Sequence, residues 1–227
     1  MATSRTLTEQ VYTDLRADIL AAHYRPGQRL RLVQLARHYD VSQSVVREAL
    51  TRLVEQNLCT LSPNQGFSVV DVSIPDLEDL TFTRATIECL TFRLAIERGD
   101  VDWESRVVGA LHRLDNTPRE VDGEPNPDWR DAHATFHRVL LDSCGSPRLL
   151  EIASSLRDSA LLYRQWAVNI ADSRDRNTEQ EHRDLASLAL SRDADGATDL
   201  LRAHIERTSA VLLAAAKRGF PVAAPTT

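Results

Sequence analysis

Lysine is almost missing from this chain: 227 residues carry a single one, Lys217, beside 26 arginines. That bias reads as coding composition, the mark of a GC-rich genome, and says nothing of function. Other absences exclude more. No apolar run approaches the ~20 residues that a membrane helix needs, and the N-terminus has no apolar signal core, so a soluble, cytoplasmic chain is expected. The three cysteines, Cys59, Cys89 and Cys144, are odd in number and share no metal-type spacing, which points to reduced, buried thiols. There is no glycine-rich phosphate loop, no Ser or Cys nucleophile motif and no His-Asp doublet of the helical phosphohydrolase type. Internal repeats and low-complexity stretches are missing too. The net charge of −6 argues against a nonspecific nucleic-acid coat.

What is present divides in two, and the length suits two domains that each bury a core. Through Pro75 there are eight arginines against seven acidic residues, a balance of +1; beyond it 19 basic residues face 26 acidic ones, a balance of −7. The acidic surplus therefore lies outside the first part.

That first part follows the order of a helix-turn-helix with a β-wing. Thr6 and Glu9 fit a capping box. Leu7, Val11, Leu15 and Ile19 then recur every four residues, widened by Tyr12 and Leu20, which predicts an amphipathic helix ended at Tyr24-Arg-Pro-Gly27. A short second helix is expected over Leu32–Tyr39, a turn at Asp40-Val-Ser42, and a third helix capped by Ser42. In the third helix Val46, Leu50 and Leu53 share the inner face. Gln43, Ser44 and Arg47 lie outside in the first turn, where a recognition helix meets base edges. Arg47 can reach guanine bidentately, Gln43 can pair with adenine, and Ser44 suits phosphate. Arg47 can equally pair with Glu48 or Glu55. Two short strands joined by the turn at Ser62–Gly66 complete the wing.

These residues resemble the winged-helix head of the GntR transcription-factor superfamily. The resemblance is carried by Pro26-Gly27 and Leu30, Leu35-Ala36, Val41-Ser42, Val46–Leu50 with Arg52-Leu53, and Gly66-Phe67 with Val69. It implies double-stranded DNA as partner, contacted by Ser44, Arg47 and the wing-tip Gln65 and Gly66. Gln43 stands where many relatives have arginine, so it implies a DNA contact of different preference. At Val33 a contact made in relatives is expected to be lost.

Ser73 and Pro75 mark a new helix start. From there the pattern is helical with no convincing strand, over roughly 76–98, 103–115, 127–144, 148–169, 175–191 and 195–217, and the last residues read as a tail. The expected architecture is mainly α: a winged head (1–72), a linker (73–76), an antiparallel helical bundle (77–220) and a tail (221–227). His133 and His137 are four apart on one helix, hence on one face and able to chelate one ion. His182 and His204 come from two further helices. Four converging imidazoles would suit zinc, or nickel or cobalt; surface or hydrogen-bonded core histidines are the alternative. Arg84 can clamp a carboxylate or pair with Glu88 four residues on. Tyr163, Arg164 and Trp166 can line a cavity or pack.

This second part resembles the FCD ligand-sensing domain of the fatty-acid-regulator branch of the same superfamily, on Arg84-x3-Glu88, His133-Ala-Thr-Phe136-His137, Glu181-His182 and Ala203-His204. The resemblance implies a divalent metal held by His137, His182 and His204 together with a residue four before His137. Metal-binding relatives have Asp there and this chain has His133, making the site one unit more positive and favouring an anionic effector. It also implies that Arg84 helps hold an organic acid, and that the chain acts as a homodimeric repressor on an inverted-repeat operator at the nucleoid. Two other classes fit parts of the pattern: a metal-dependent hydrolase, in which the histidines activate water, and a constitutive DNA-architectural protein. The regulator alone accounts for both head and bundle, so no enzyme is expected.

Overall fold

The computed structural model describes residues 6–167 and 177–217. The expected loop at Ala171–Ser173 and the tail at Pro221–Thr227 lie outside the described residues. One compact unit gathers the described residues of 1–80, 157–171 and 211–227, and a second those of 81–156 and 172–210.

In the first unit α1 (Leu7–Leu20), β1 (Arg29–Leu30), α2 (Leu32–His38) and α3 (Gln43–Glu55) precede the hairpin β2 (Cys59–Ser62) and β3 (Gly66–Val69). Thr6 Oγ1 accepts from Glu9 N at 3.2 Å, so the cap of α1 forms as its residues dictate. Val11, Leu15 and Ile19 are buried, but Leu7, the first residue of the stripe, is 58% exposed. The helix stops at Leu20, before the Pro-Gly signal, because Ala22 turns left-handed at φ 62°.

The turn between α2 and α3 has the same device: Asp40 sits at φ 52°, and Val41 N donates to Ala36 O at 3.0 Å. Short polar side chains tolerate that region best among non-glycine residues. Ser42 Oγ accepts from Val45 N at 3.4 Å and opens α3, whose Val46, Ala49, Leu50 and Leu53 are fully buried.

The wing is one strand richer than its sequence indicates. β1 pairs antiparallel with β3, giving the order β1-β3-β2, with Leu30 opposite Phe67 and Thr60 opposite Ser68. Two residues cannot display a strand period, so β1 is visible only through its partner. Leu162 adds to this core, and the neighbouring Tyr163 is buried, its hydroxyl accepting from Ser73 N at 3.2 Å and donating to Asp76. The side chain of Trp166 lies outside the described residues.

The helices that follow are α4 (Ile74–Arg98), α5 (Val101–Asp115), α6 (Pro127–Leu141), α7 (Pro147–Ala167), α8 (Thr178–Leu190) and α9 (Ala194–Lys217). They match the periodic stretches to within a few residues. The one departure is the Pro-rich loop, where β4 (Glu120–Val121) and β5 (Glu124–Pro125) form a minimal hairpin. Asp122 and Gly123, at φ 54° and 82°, make its two-residue turn, and Asp-Gly is the dipeptide that such a turn selects.

The core of the second unit is built on Phe92, Trp103, Phe136, Leu140, Leu185 and Leu201. Trp103 Nε1 donates to Val139 O at 2.8 Å, fixing α5 against α6. Among the described residues no helix is long and apolar enough to cross a membrane.

Candidate functional site

The head and the helical unit each contain a candidate site, and the residues of each fall within one unit. In the head a concave surface of about 670 Å³ lies between β1, α2, the start of α3 and the wing tip. Arg29, Arg31, Arg37 and Arg47 line it with Gln34, Gln43, Gln65 and Gly66, and its lining holds no acidic side chain. Four guanidiniums with no acid among the residues that line the surface with them make a local positive field that the near-neutral charge of the head conceals.

Among the described residues Arg47 makes neither of the ion pairs that its spacing allows, and Glu48 accepts instead from Thr8 Oγ1 at 3.3 Å. Arg52, by contrast, is occupied, its guanidinium 4.1 Å over the Tyr12 ring. Ser44 is exposed at the N-terminus of α3, its Oγ 2.7 Å from that of Ser42. Gly66 takes φ 79° with open space around the position of a Cβ, so it is needed for the backbone turn rather than for clearance. Arg29, Arg31 and Arg37 are additions of the structure. On the sequence they sit on a two-residue strand, in a cap and on a short helix, where no periodicity assigns a face. Val33 also lines this surface and is 47% exposed; it brings no polar group to it.

In the second unit α6, α8 and α9 bring the four histidines together. His133 is half-buried and His137, His182 and His204 are buried. One ligand nitrogen each of His133, His137 and His182 lies within 4.8 Å of the other two. Ring centroids are 4.6 Å apart for His133 and His137, and 5.2 Å apart for His137 and His182. Two nitrogens bound to one late divalent ion at about 2.1 Å can be at most about 4.2 Å apart, so slight torsional closure lets the trio share an ion.

His204 stands beside the trio, 5.2 Å from both His137 and His182 by ring centroid. Its Nδ1 lies 2.7 Å from Glu181 Oε2, while Arg207 Nη2 reaches the other Glu181 oxygen at 3.0 Å. Any ligand role for His204 therefore falls to Nε2. A carboxylate behind a histidine in this way fixes the tautomer and ring orientation that a metal ligand needs. The donor set is neutral imidazole throughout, which fits zinc and its late first-row neighbours.

Phe136 and Trp129 wall the cluster. Phe136 lies 5.3 Å from His182, and Trp129 stacks on His133 at 5.0 Å with planes 26° apart. A cavity of about 130 Å³ adjoins it, with His182, Trp129 and Arg119 in its lining. Arg84 is placed differently. Its Nε lies 2.8 Å from Glu88 Oε1, and the Glu88 side chain is only 2% exposed. Glu181 is visible in the sequence only as a neighbour of His182, and Trp129 only as the residue one turn before His133.

Residues 7–69 match the family of bacterial regulatory proteins named gntR, and residues 79–207, more than half of the chain, match the FCD domain. An uncharacterised HTH-type transcriptional regulator of Paraburkholderia xenovorans LB400, BphR, is 36% identical over 93% of this chain and 87% of its own length. The HTH-type transcriptional repressor GlaR of Escherichia coli K12 is 30% identical over 86% of this chain and 90% of its own. The solved structure of E. coli McbR/YncC superposes with a TM-score of 0.77 at 24% identity, covering 92% of this chain and 98% of that one. A gntR-type winged head followed by an FCD domain, with relatives at 36% and 30% identity along most of its length, places this chain in the GntR family of DNA-binding transcriptional regulators, a family of regulators and not of enzymes.

Proposed function

We propose that this chain is a ligand-controlled repressor acting as a homodimer on an inverted-repeat operator at the nucleoid of the cytoplasm. In this reading residues 1–72 bind DNA, 73–76 link, and the helices from residue 77 onward sense the ligand and dimerise. Gln43, Arg47 and Gln65 meet base edges or nearby phosphates, with Ser44 and the Gly66 backbone on phosphate; Arg29, Arg31 and Arg37 add phosphate contacts. Twofold symmetry of the protein asks for twofold symmetry of the operator. The name of GlaR supports the repressor sense.

His133, His137 and His182, with His204 through Nε2, would hold a late divalent ion, zinc ahead of nickel or cobalt. Bound there, the ion would supply a Lewis-acidic docking point for an anionic group. The chain's own residues do the rest: Glu181 orients His204, Phe136 and Trp129 keep water from the cluster, and the neighbouring cavity admits a small carboxylate-bearing effector. Arg84 would serve such an effector only by sharing or leaving Glu88.

The effector lowers operator affinity to the extent that it prefers the DNA-incompetent state. The observation carrying this reading is the convergence of three histidine nitrogens within 4.8 Å beside an accessible cavity, in a chain whose head carries an uncompensated arginine surface. Anisotropy with the intergenic DNA upstream of its own gene, against a scrambled duplex, tests it. The expected preference is about a hundredfold, or about 2.7 kcal/mol. Equal binding to both duplexes, unmoved by any acid or chelator, would instead favour the architectural protein.

A further inference from the structure

The cavity beside the histidines has one cation in its lining, Arg119, and that residue is built in more firmly than a loop arginine needs to be. Asn126, itself buried, donates from Nδ2 to Pro118 O at 2.7 Å and from its backbone N to Arg119 O at 2.8 Å. The same Asn126 caps α6, its side chain accepting from Asp128 N at 3.0 Å. The backbone carrying Arg119 is thus tied to the start of the helix that carries Trp129, His133 and His137. The β4–β5 hairpin spans the residues between Arg119 and Asn126 and closes on its Asp122-Gly123 turn.

Above this anchor the Arg119 guanidinium lies 4.9 Å over the Trp129 ring, and Trp129 in turn stacks on His133. Attraction to an indole face positions a guanidinium through its π surface and leaves its N–H donors to make hydrogen bonds around its edge.

The carboxylate now beside it is exchangeable. Arg119 Nε is 3.7 Å from Glu179 Oε1, and the two side chains are 40% and 58% exposed; Nη2 donates to Thr178 Oγ1. An exposed pair at that distance is worth little. The other acid of the lining, Asp115, is answered by Arg183 at 3.0 Å. Arg84 presents the opposite case, since drawing it to a ligand would strip a buried Glu88 of its cation at a substantial cost.

We propose that Arg119, stacked on Trp129, is the carboxylate clamp of the effector cavity. It binds a small organic acid bidentately in exchange for Glu179, with the body of the acid directed toward His182. The cavity of about 130 Å³ fits an acid of on the order of four to eight non-hydrogen atoms, the C2–C4 carboxylates. This rests on the reading of that cavity as the effector site.

The test uses the full-length chain as purified. Glycolate, malonate and succinate are titrated by calorimetry beside their neutral amides, against wild type, Arg119→Gln and Arg119→Lys. Wild type binds at least one acid saturably and does not bind its amide. Arg119→Gln weakens that acid by about ten- to a hundredfold. Arg119→Lys, which keeps the charge and loses the fork, falls between. Melting of each variant without acid confirms that it is folded.

Equal affinities in wild type and Arg119→Gln overturn the clamp, as does the lack of saturable binding by all three acids. Operator selection by wild type is measured separately. If it fails while the acid response passes through Arg119, the regulator falls and the clamp stands; if selection holds and Arg119 is inert, only the clamp falls.

Discussion

Glu181 illustrates what a single side chain decides at this site. Its two oxygens are divided between His204 Nδ1 and Arg207, so it holds a ring at one end and is held itself at the other. The converging side chains are all imidazoles, and the charge of Glu181 would reach an ion held by them through His204. Glu181→Gln keeps the size and an acceptor oxygen but loses the charge. It is expected to weaken zinc by about ten- to a hundredfold in competition with a chromogenic chelator, with helical content unchanged. An unaltered affinity would leave His204 outside the ligand set.

The thiols make a second prediction at this scale. Burial disfavours the charged thiolate, which pushes the Cys59 thiol up to about 12 and that of Cys89 up to about 11. At pH 8 Cys89 is then thiolate about one part in a thousand, three decades below its midpoint. An aromatic disulfide reagent should leave the folded chain nearly unmodified at that pH and titrate its three cysteines once denaturant is added. Prompt labelling of one thiol in the native state would show an opening of the core that carries it.

Among elements, helices were legible from the sequence and the shortest strands were not, for reasons visible in particular residues. Ser42 before Gln43–Glu55 declares a helix start, because an oxygen one position outside the helix can satisfy an orphan amide within it; the Asn177 cap of Thr178–Leu190 went unread, and that helix was expected from about 175. Ser42→Ala should cost about 1 kcal/mol in chemical unfolding and loosen the first turn that presents Gln43, Ser44 and Arg47. β1 has no such mark, and the β4–β5 hairpin was signalled only by Asp122-Gly123.

The same holds for the sites. The i,i+4 spacing put His133 and His137 on one face, whereas the approach of Arg29, Arg31 and Arg37 to Arg47 depends on tertiary folding that no local pattern encodes. The junction of α4 and α5 gives a sharper test of element packing. A Cβ at Gly99 would lie 2.3 Å from Trp103 Cε3 and 2.7 Å from Ala95 O. The carbonyl belongs to the preceding helical turn, and Trp103 is pinned by its bond to Val139 O, so neither neighbour yields readily. Gly99→Ala is expected to destabilise the chain by about 1–3 kcal/mol, read as a lower melting temperature. A variant as stable as wild type would mean that this junction relaxes more easily than its contacts indicate.

For the whole molecule the decisive quantity is charge, and the total misleads. A chain of net charge −6 should be repelled by DNA at long range, so attachment has to come from a concentrated patch. The four arginines that line the concave surface of the head, with no acid in that lining, are the patch proposed for this. If each neutralises about one phosphate, a head on its own gives a slope of about −4 in log affinity against log salt, and the two heads of a dimer about −7.

Replacing Arg31 by Ala in a homodimer removes two of those contacts and should make the slope about 2 units shallower, with sequence preference kept. Gln43→Ala should do the reverse, altering which operators are preferred while leaving the slope alone. The two variants thereby separate positioning from reading, and the wild-type slope separately counts heads. A slope near −4 on the native operator would mean that one head binds at a time, and the twofold complex would have to be given up even if the regulator itself stands.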